Sequence, residues 1–126
     1  MPRYTSMVIL DANMILRFLL NDNTEMAIEA RQYISTGKAF VTIEVVAEVV
    51  YVLKGVYRLD RKMISNALLR FLPLVGCQNE DVLKLGLETF AAENLDFVDC
   101  VLYAYHRVDN AQIATFDQKL LKLLKS

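Results

Sequence analysis

Four carboxylates interrupt or end short apolar runs, and they are the residues best placed to do chemistry. Asp11 follows M-V-I-L, Glu48 lies within T-I-E-V-V-A-E-V-V-Y, Asp99 closes D-F-V-D, and Asp117 follows I-A-T-F. An ionised carboxylate is costly to bury unless a cation or hydrogen-bond donors compensate it. Several such acids brought together by folding would form a site for a hard divalent cation.

Three of these acids also have a purely structural interpretation. Asp11 and Asp117 each precede a helical pattern, and aspartate is a favoured N-cap residue. Asp96 and Asp99, three residues apart, resemble a capping box, and acids in a first helical turn complement the helix dipole. Taken singly, these positions therefore leave capping and metal binding as open alternatives.

Glu48 has a different alternative. If residues 43–54 are helical, Glu44 lies one turn before Glu48, and like charges at that spacing repel each other. A cation near Glu48 would relieve this repulsion. The alternative is that Glu44, Glu48 and Tyr51 form a solvated stripe, because charged helix residues usually face water.

Composition favours one compact domain over residues 1–126. The chain has 126 residues, of which 55% are hydrophobic. Fourteen Lys and Arg against 15 Asp and Glu give a net charge of -1, which excludes a broad basic surface and leaves only local contacts to nucleic acid. Cys77 and Cys100 show no metal-binding spacing and predict neither a zinc site nor a disulfide framework.

The chain ends and its apolar runs bear on location. The N-terminal M-P-R-Y-T-S and the four apolar residues after it are too short for the apolar core of a signal peptide. No apolar segment approaches the length that crosses a bilayer. With the reduced thiols, this predicts a cytoplasmic protein without membrane contact.

Short β-like runs alternate with longer helical patterns along the chain. We predict strands at 7–10, 39–42, 74–77 and 113–116 and helices at 14–20, 24–35, 43–54, 61–72, 79–93, 96–108 and 118–125. Thr24 is the predicted N-cap of the second helix, and Gly37 is expected to end it. In 43–54 the valines favour a strand, but apolar spacing and length favour the helix.

This alternation predicts an α/β fold with a central parallel sheet covered by helices on both faces. In open sheets of this kind, ligands gather beyond the carboxyl ends of the strands. Asp11 and Asp117 both follow predicted strands, so the sequence places two acids at such ends.

Four segments, in this order, resemble a known family. They are V-I-L-D-A-N-M-I-L-R-F-L-L-N-D from Val8, V-V-A-E-V-V-Y-V-L from Val45, L-D-F-V-D-C-V-L-Y-A-Y from Leu95 and I-A-T-F-D-Q-K-L from Ile113. Together they are similar to PIN domains and, within that superfamily, to the VapC toxins of toxin–antitoxin pairs. The resemblance implies a three-layer α/β/α sandwich around a mostly parallel sheet of four to five strands.

The resemblance also assigns site residues. It implies that the catalytic, metal-binding acids are Asp11, Glu48, Asp99 and Asp117. Asp96 matches a position that is often acidic and is expected to be an auxiliary metal ligand, while Asn13 and Thr115 match small polar positions beside the metal. Oxygen ligands without a Cys or His cluster select Mg²⁺ or Mn²⁺.

The implied activity is metal-dependent hydrolysis of RNA by an endoribonuclease that leaves a 5′-phosphate and a 3′-hydroxyl. Looped or single-stranded RNA is the more readable target, since its bases can be stacked. Arg17, Lys54, Arg58 and Lys119 are candidates for phosphate contacts, with a solvated surface charge as the alternative for each. The lone His106 matches no catalytic position. The resemblance further implies an antitoxin partner and a homodimer.

Two other functions fit the sequence less well. A non-catalytic PIN-like scaffold for RNA or protein would be expected to lack at least one of the four acids, and this chain has all of them. A receiver-type phosphotransfer domain would carry paired acids near its start and a lysine after a late strand. Here D-A-N offers a single acid, and the late strand is followed by Asp117.

Overall fold

A computed structural model describes residues 6–126. Residues 1–5, part of the N-terminal stretch predicted to be too short for a signal peptide, lie outside the described residues. The elements are β1 (Val8–Ile9), α1 (Ala12–Leu20), α2 (Thr24–Ser35), β2 (Ala39–Val41), α3 (Ile43–Gly55), α4 (Arg61–Phe71), β3 (Gly76–Cys77), α5 (Glu80–Ala92), α6 (Phe97–Asp109) and α7 (Gln118–Leu124). A 3₁₀ turn, Leu72–Leu74, follows α4. Within residues 6–126, no helix combines the length and apolarity needed to cross a membrane.

The sheet is parallel, as predicted, with strand order β1-β2-β3. Ile9 pairs with Phe40, and Phe40 in turn pairs with Gly76. The pairing continues past β1, since the Leu10 amide donates to the Phe40 carbonyl at 3.0 Å. The carboxyl ends of the strands therefore meet at one edge, and Asp11 begins its helix there.

The described residues contain three assigned strands, fewer than the four to five expected, and no strand is assigned at 113–116. Burial alternates along the segment, as in a strand: Ile113 and Thr115 are half-buried, whereas Ala114 and Phe116 are exposed. Amides at its ends bond locally. The Ala111 amide donates to the Tyr105 carbonyl, and the Asp117 amide donates to Thr115 Oγ1.

The ambiguous valine-rich stretch is helical, as α3. Thr42 caps it by accepting from the Val45 amide at 3.3 Å, and its buried side chains are Val46, Val49, Val50 and Leu53. Their spacing places them on one helix face, so burial of that face outweighs the β-propensity of valine.

The N-cap of the second helix lies one residue before the predicted one. Thr24 is the first helical residue, and Asn23 is the N-cap, with its side-chain oxygen accepting from the Met26 amide at 3.0 Å. The Thr24 prediction was wrong because the preceding residue is an equally good capping residue. Gly37 takes a positive φ of 76° after the helix end, as expected of a helix-ending glycine.

Helices α5 and α6 pack closely, and Gly86 allows this. A Cβ atom at Gly86 would lie 3.3 Å from Val101 Cγ2, tighter than ordinary contact. The missing side chain therefore lets α5 support the helix that carries Asp99 near its start.

Candidate active site

Asp11 sits at the carboxyl edge of the sheet and caps α1. Its Oδ1 accepts from the Met14 amide at 2.9 Å, and its side chain is exposed. The capping interpretation is therefore correct for this residue. It does not exclude metal binding, because a carboxylate has a second oxygen with its own lone pairs.

Asp117 is the N-cap of α7 and, like Asp11, accepts a hydrogen bond from a helix amide with its carboxylate. Oδ1 accepts from the Leu120 amide at 2.8 Å. Its own amide donates to Thr115 Oγ1 at 3.0 Å, so the Thr115 hydroxyl holds the backbone that carries the acid. Thr115 thus has a visible positioning contact with a predicted site residue.

Asp96 and Asp99 begin α6 and differ from the predicted capping box. Asp96 occupies the N-cap position, but its side chain makes no capping hydrogen bond. Asp99 follows in the first turn and is half-buried. A capping box uses a Glu or Gln long enough to reach back to the N-cap amide, and aspartate is shorter. The Asp96 carboxylate is therefore not committed to its own helix.

Electrostatics connect three of the acids. Burial raises the pKa of Asp99 above its ordinary value, and the negative charges of Asp117 and Asp96 raise it further. Each cause disfavours the ionised form. The starts of α6 and α7 thus bring Asp96, Asp99 and Asp117 into one negatively charged region, which a cation would stabilise.

Glu48 lies on α3, which packs against both α1 and α6. The helix carrying Glu48 is thus in contact with the two helices that begin near Asp11 and Asp99. Glu48 and Glu44 are both exposed, as the solvated-stripe alternative expects. Asn13, in the first turn of α1, is exposed as well.

A complete metal cage is not formed by these side chains as they stand. Over residues 6–126, no three His, Cys, Asp or Glu side chains are close enough to hold a metal ion together. Helix amides compete for the acids, since Asp11 and Asp117 each give an oxygen to an N-terminal turn. The donor chemistry, all carboxylate oxygen with the like charges around Asp99, fits Mg²⁺ or Mn²⁺.

Arg61 is a residue that the sequence reasoning missed. Its Nε donates to the Phe90 carbonyl at 2.7 Å, its Nη2 donates to the Leu95 carbonyl, and its guanidinium lies 3.8 Å from the centre of the Phe90 ring. These bonds tie the loop before Asp96 to α4. A signal was available, because a cation in the first turn of a helix opposes the helix dipole and needs another reason to be there.

Two other polar residues are committed elsewhere. Arg17, a phosphate candidate, forms an ion pair with Asp22 at 2.8 Å and donates to Tyr57 Oη at 3.2 Å. Nδ1 of His106 lies 2.9 Å from the Ala111 carbonyl oxygen, which fits a packed histidine. The remaining phosphate candidates, Lys54, Arg58 and Lys119, are exposed.

Comparison with protein families gives a match to the PIN domain over residues 8–125. The chain therefore belongs to the PIN domain family, whose members are generally nucleases. The match covers β1 through α7 and confirms the α/β class with a parallel sheet. Comparisons with curated proteins and with solved structures gave no match.

Proposed function

We propose that this PIN domain is a Mg²⁺- or Mn²⁺-dependent endoribonuclease, and that it is the toxin of a VapBC-type toxin–antitoxin pair. The observation that carries the proposal is the grouping of Asp96, Asp99 and Asp117 at the starts of α6 and α7 in a PIN domain, where burial and the other two charges raise the pKa of Asp99. A partly buried acid whose pKa is shifted by neighbouring charges is a candidate for a functional site. In a nuclease family, such a group is best explained as a metal site.

The proposed division of labour follows from the resemblance to PIN-domain toxins. Asp11, Glu48, Asp99 and Asp117 would hold the cation, with Asp96 as an auxiliary ligand. A bound Mg²⁺ or Mn²⁺ supplies an activated water and stabilises charge on the leaving oxygen. Thr115 holds the Asp117 backbone, and His106, bonded to the Ala111 carbonyl, takes no proton in the reaction.

The toxin assignment includes partners and location. We propose a cytoplasmic homodimer that is inhibited by a small cognate antitoxin and that cuts RNA when released. The four segments resembling VapC support this, because they extend beyond the acids to the apolar residues around them. The scaffold alternative is disfavoured because all four acids are retained.

RNA cleavage tests the enzymatic part. Purified protein is expected to cut RNA in Mg²⁺ or Mn²⁺ and to stop in EDTA, and Asp99→Asn is expected to lower the rate by at least about a hundredfold, since a metal ligand is lost. Asp109→Asn, at the other end of α6, is the matched control and should cut normally. Cleavage that survives Asp99→Asn and Asp11→Asn in folded protein would show that another site is responsible.

Expression in cells tests the toxin assignment separately. Expression of the chain alone should arrest growth, and co-expression of the neighbouring gene should restore it. The Asp99→Asn variant should be harmless at the same protein level. Unimpaired growth with soluble, RNA-cleaving protein would reject the toxin role and leave the nuclease activity standing.

A further inference from the structure

An aromatic cavity of about 270 Å³ lies beside the acids, between α3 and α6. Its walls include the aromatic residues Tyr51, Phe90 and Phe97, together with Val98, Lys54 and Asp96. Asp96 thus belongs both to this cavity and to the charged region around Asp99. The cavity and the proposed metal site therefore share Asp96.

Two of its apolar residues are exposed. The Tyr51 side chain is 77% exposed and Val98 is 57% exposed. Tyr51 lies one turn after Glu48 on α3, and Val98 directly precedes Asp99. The exposed Tyr51 ring, one turn from Glu48 and lining the same cavity as Asp96, is well placed to contact a substrate and contributes little to the core.

Cationic side chains adjoin the cavity. Lys54 lines this cavity and also a second one of about 540 Å³, which Arg58 and Arg61 line as well. Arg61 is committed to backbone carbonyls, whereas Lys54 and Arg58 are exposed. The aromatic cavity therefore shares one lining residue with the acids, Asp96, and another with the cationic cavity, Lys54.

We propose that the cavity beside Tyr51 binds one unpaired nucleobase of the RNA, next to the phosphate that is cut. The base would stack on the Tyr51 ring, and Lys54 with Arg58 would hold the following phosphate. The adjoining features suit the parts of one nucleotide step: acids for a metal-bound phosphate, a flat apolar ring for the base and cations for a second phosphate. This inference rests on the proposed nuclease function and assigns a subsite that binds one base of the RNA substrate.

RNA with single bases removed tests the stacking. The binding of five-nucleotide RNAs, each with one abasic ribose, is measured by fluorescence anisotropy in EDTA, so that no cleavage occurs. Removing one particular base should weaken binding to the wild type about tenfold, as expected for loss of one stacked base. Tyr51→Ala should bind intact RNA about tenfold more weakly and be insensitive to that base, while Tyr51→Phe should behave as the wild type.

Matched controls isolate the subsite. Tyr33→Ala removes another exposed tyrosine, on α2, and should leave RNA affinity unchanged. Lys54→Gln should reduce the salt dependence of binding by about one phosphate contact. Lys38→Gln, just before β2 at the opposite end of the sheet, should not.

The outcomes separate this proposal from the nuclease assignment. If the wild type shows the base-dependent binding but cuts no RNA in Mg²⁺ or Mn²⁺, the nuclease function fails and the subsite stands. If it cuts RNA while Tyr51→Ala binds and cuts as well as the wild type, the subsite is rejected. The subsite is also rejected if Tyr51→Ala disrupts dimerisation or antitoxin binding with RNA affinity intact, because the surface then serves a protein.

Discussion

Arg61 donates from Nη2 to the backbone carbonyl of Leu95, the residue directly before Asp96. A single side chain on α4 thereby fixes the loop that leads into α6. Hydrogen bonds from a charged donor to buried carbonyls are among the stronger ones in proteins. The placement of Asp96 and Asp99 therefore depends on a residue that takes no part in metal binding.

Arg61→Lys is expected to lower the free energy of unfolding by about 1–3 kcal/mol, because an ammonium group cannot reproduce two bonds from a planar fork. Urea unfolding measures this. The variant should also bind Mn²⁺ more weakly under conditions where it is fully folded. Arg70→Lys, an exposed change on the same helix, is the control. Unchanged stability and Mn²⁺ affinity in Arg61→Lys would remove the positioning role.

Asp99→Asn is expected to stabilise the metal-free protein at neutral pH. The folded-state pKa of Asp99 lies above its ordinary value of 3.8, so the folded state binds the proton more tightly than the unfolded state. Ionisation then costs stability as pH rises through the folded pKa. The difference in melting temperature between Asp99→Asn and wild type should be small below the ordinary pKa of 3.8, grow as the pH rises through the folded pKa and then level off.

Melting curves in EDTA across this pH range check the prediction, with Asp109→Asn as the control for loss of one charge on α6. Adding Mn²⁺ should stabilise the wild type and not Asp99→Asn, because a ligand that binds only the folded state raises its stability. A metal-free Asp99→Asn that melts below the wild type at pH 7 would contradict the account of its pKa.

Cys100 is expected to be inert while the protein is folded. Its side chain is fully buried, and burial raises the pKa of the thiol to about 12. The thiolate is the reactive form, so almost none is present at pH 8. Mass spectrometry after brief iodoacetamide treatment should find Cys100 unmodified in buffer and modified in denaturant. Equal labelling in both conditions would show that the Cys100 side chain of α6 is not buried as described.

Gly86→Val should destabilise the fold by about 1–3 kcal/mol, since even a Cβ atom there meets Val101 Cγ2 at 3.3 Å and larger groups overpack the contact. Gly55→Ala is the matched control, because nothing lies within 4 Å of a Cβ at that position. The control should be neutral or slightly stabilising. A neutral Gly86→Val in chemical denaturation would mean that α5 and α6 pack less closely than described.

Much of the fold could be predicted because local patterns and packing agree. In α3 the apolar spacing identified the buried face despite the valines, and the parallel sheet followed from alternation of elements. The segment 113–116 shows where this stops. Its alternating pattern predicts an extended chain, but strand pairing depends on which partners its backbone finds.

The site likewise has features that the sequence predicts and features that only the folded chain shows. Acids after parallel strands could be located by topology, and Asp11 lies where that rule predicts. The link between Asp99 and Asp117 depends on how α6 and α7 pack, and no spacing records that. The Arg61 bonds and the Tyr51 cavity join residues that are distant in sequence, so they became visible only in the folded chain.

The central claim is that acids far apart in the chain hold one divalent cation. Calorimetric titration of the protein with Mn²⁺ tests it most directly, on the wild type, Asp11→Asn, Asp99→Asn and the neighbouring pair Glu48→Gln and Glu44→Gln. We predict one saturable Mn²⁺ site. Asp11→Asn, Asp99→Asn and Glu48→Gln should each lower its affinity at least about tenfold, and Glu44→Gln should leave it unchanged. Mn²⁺ affinity that is equal in all five proteins, or absent from the wild type, would contradict the account.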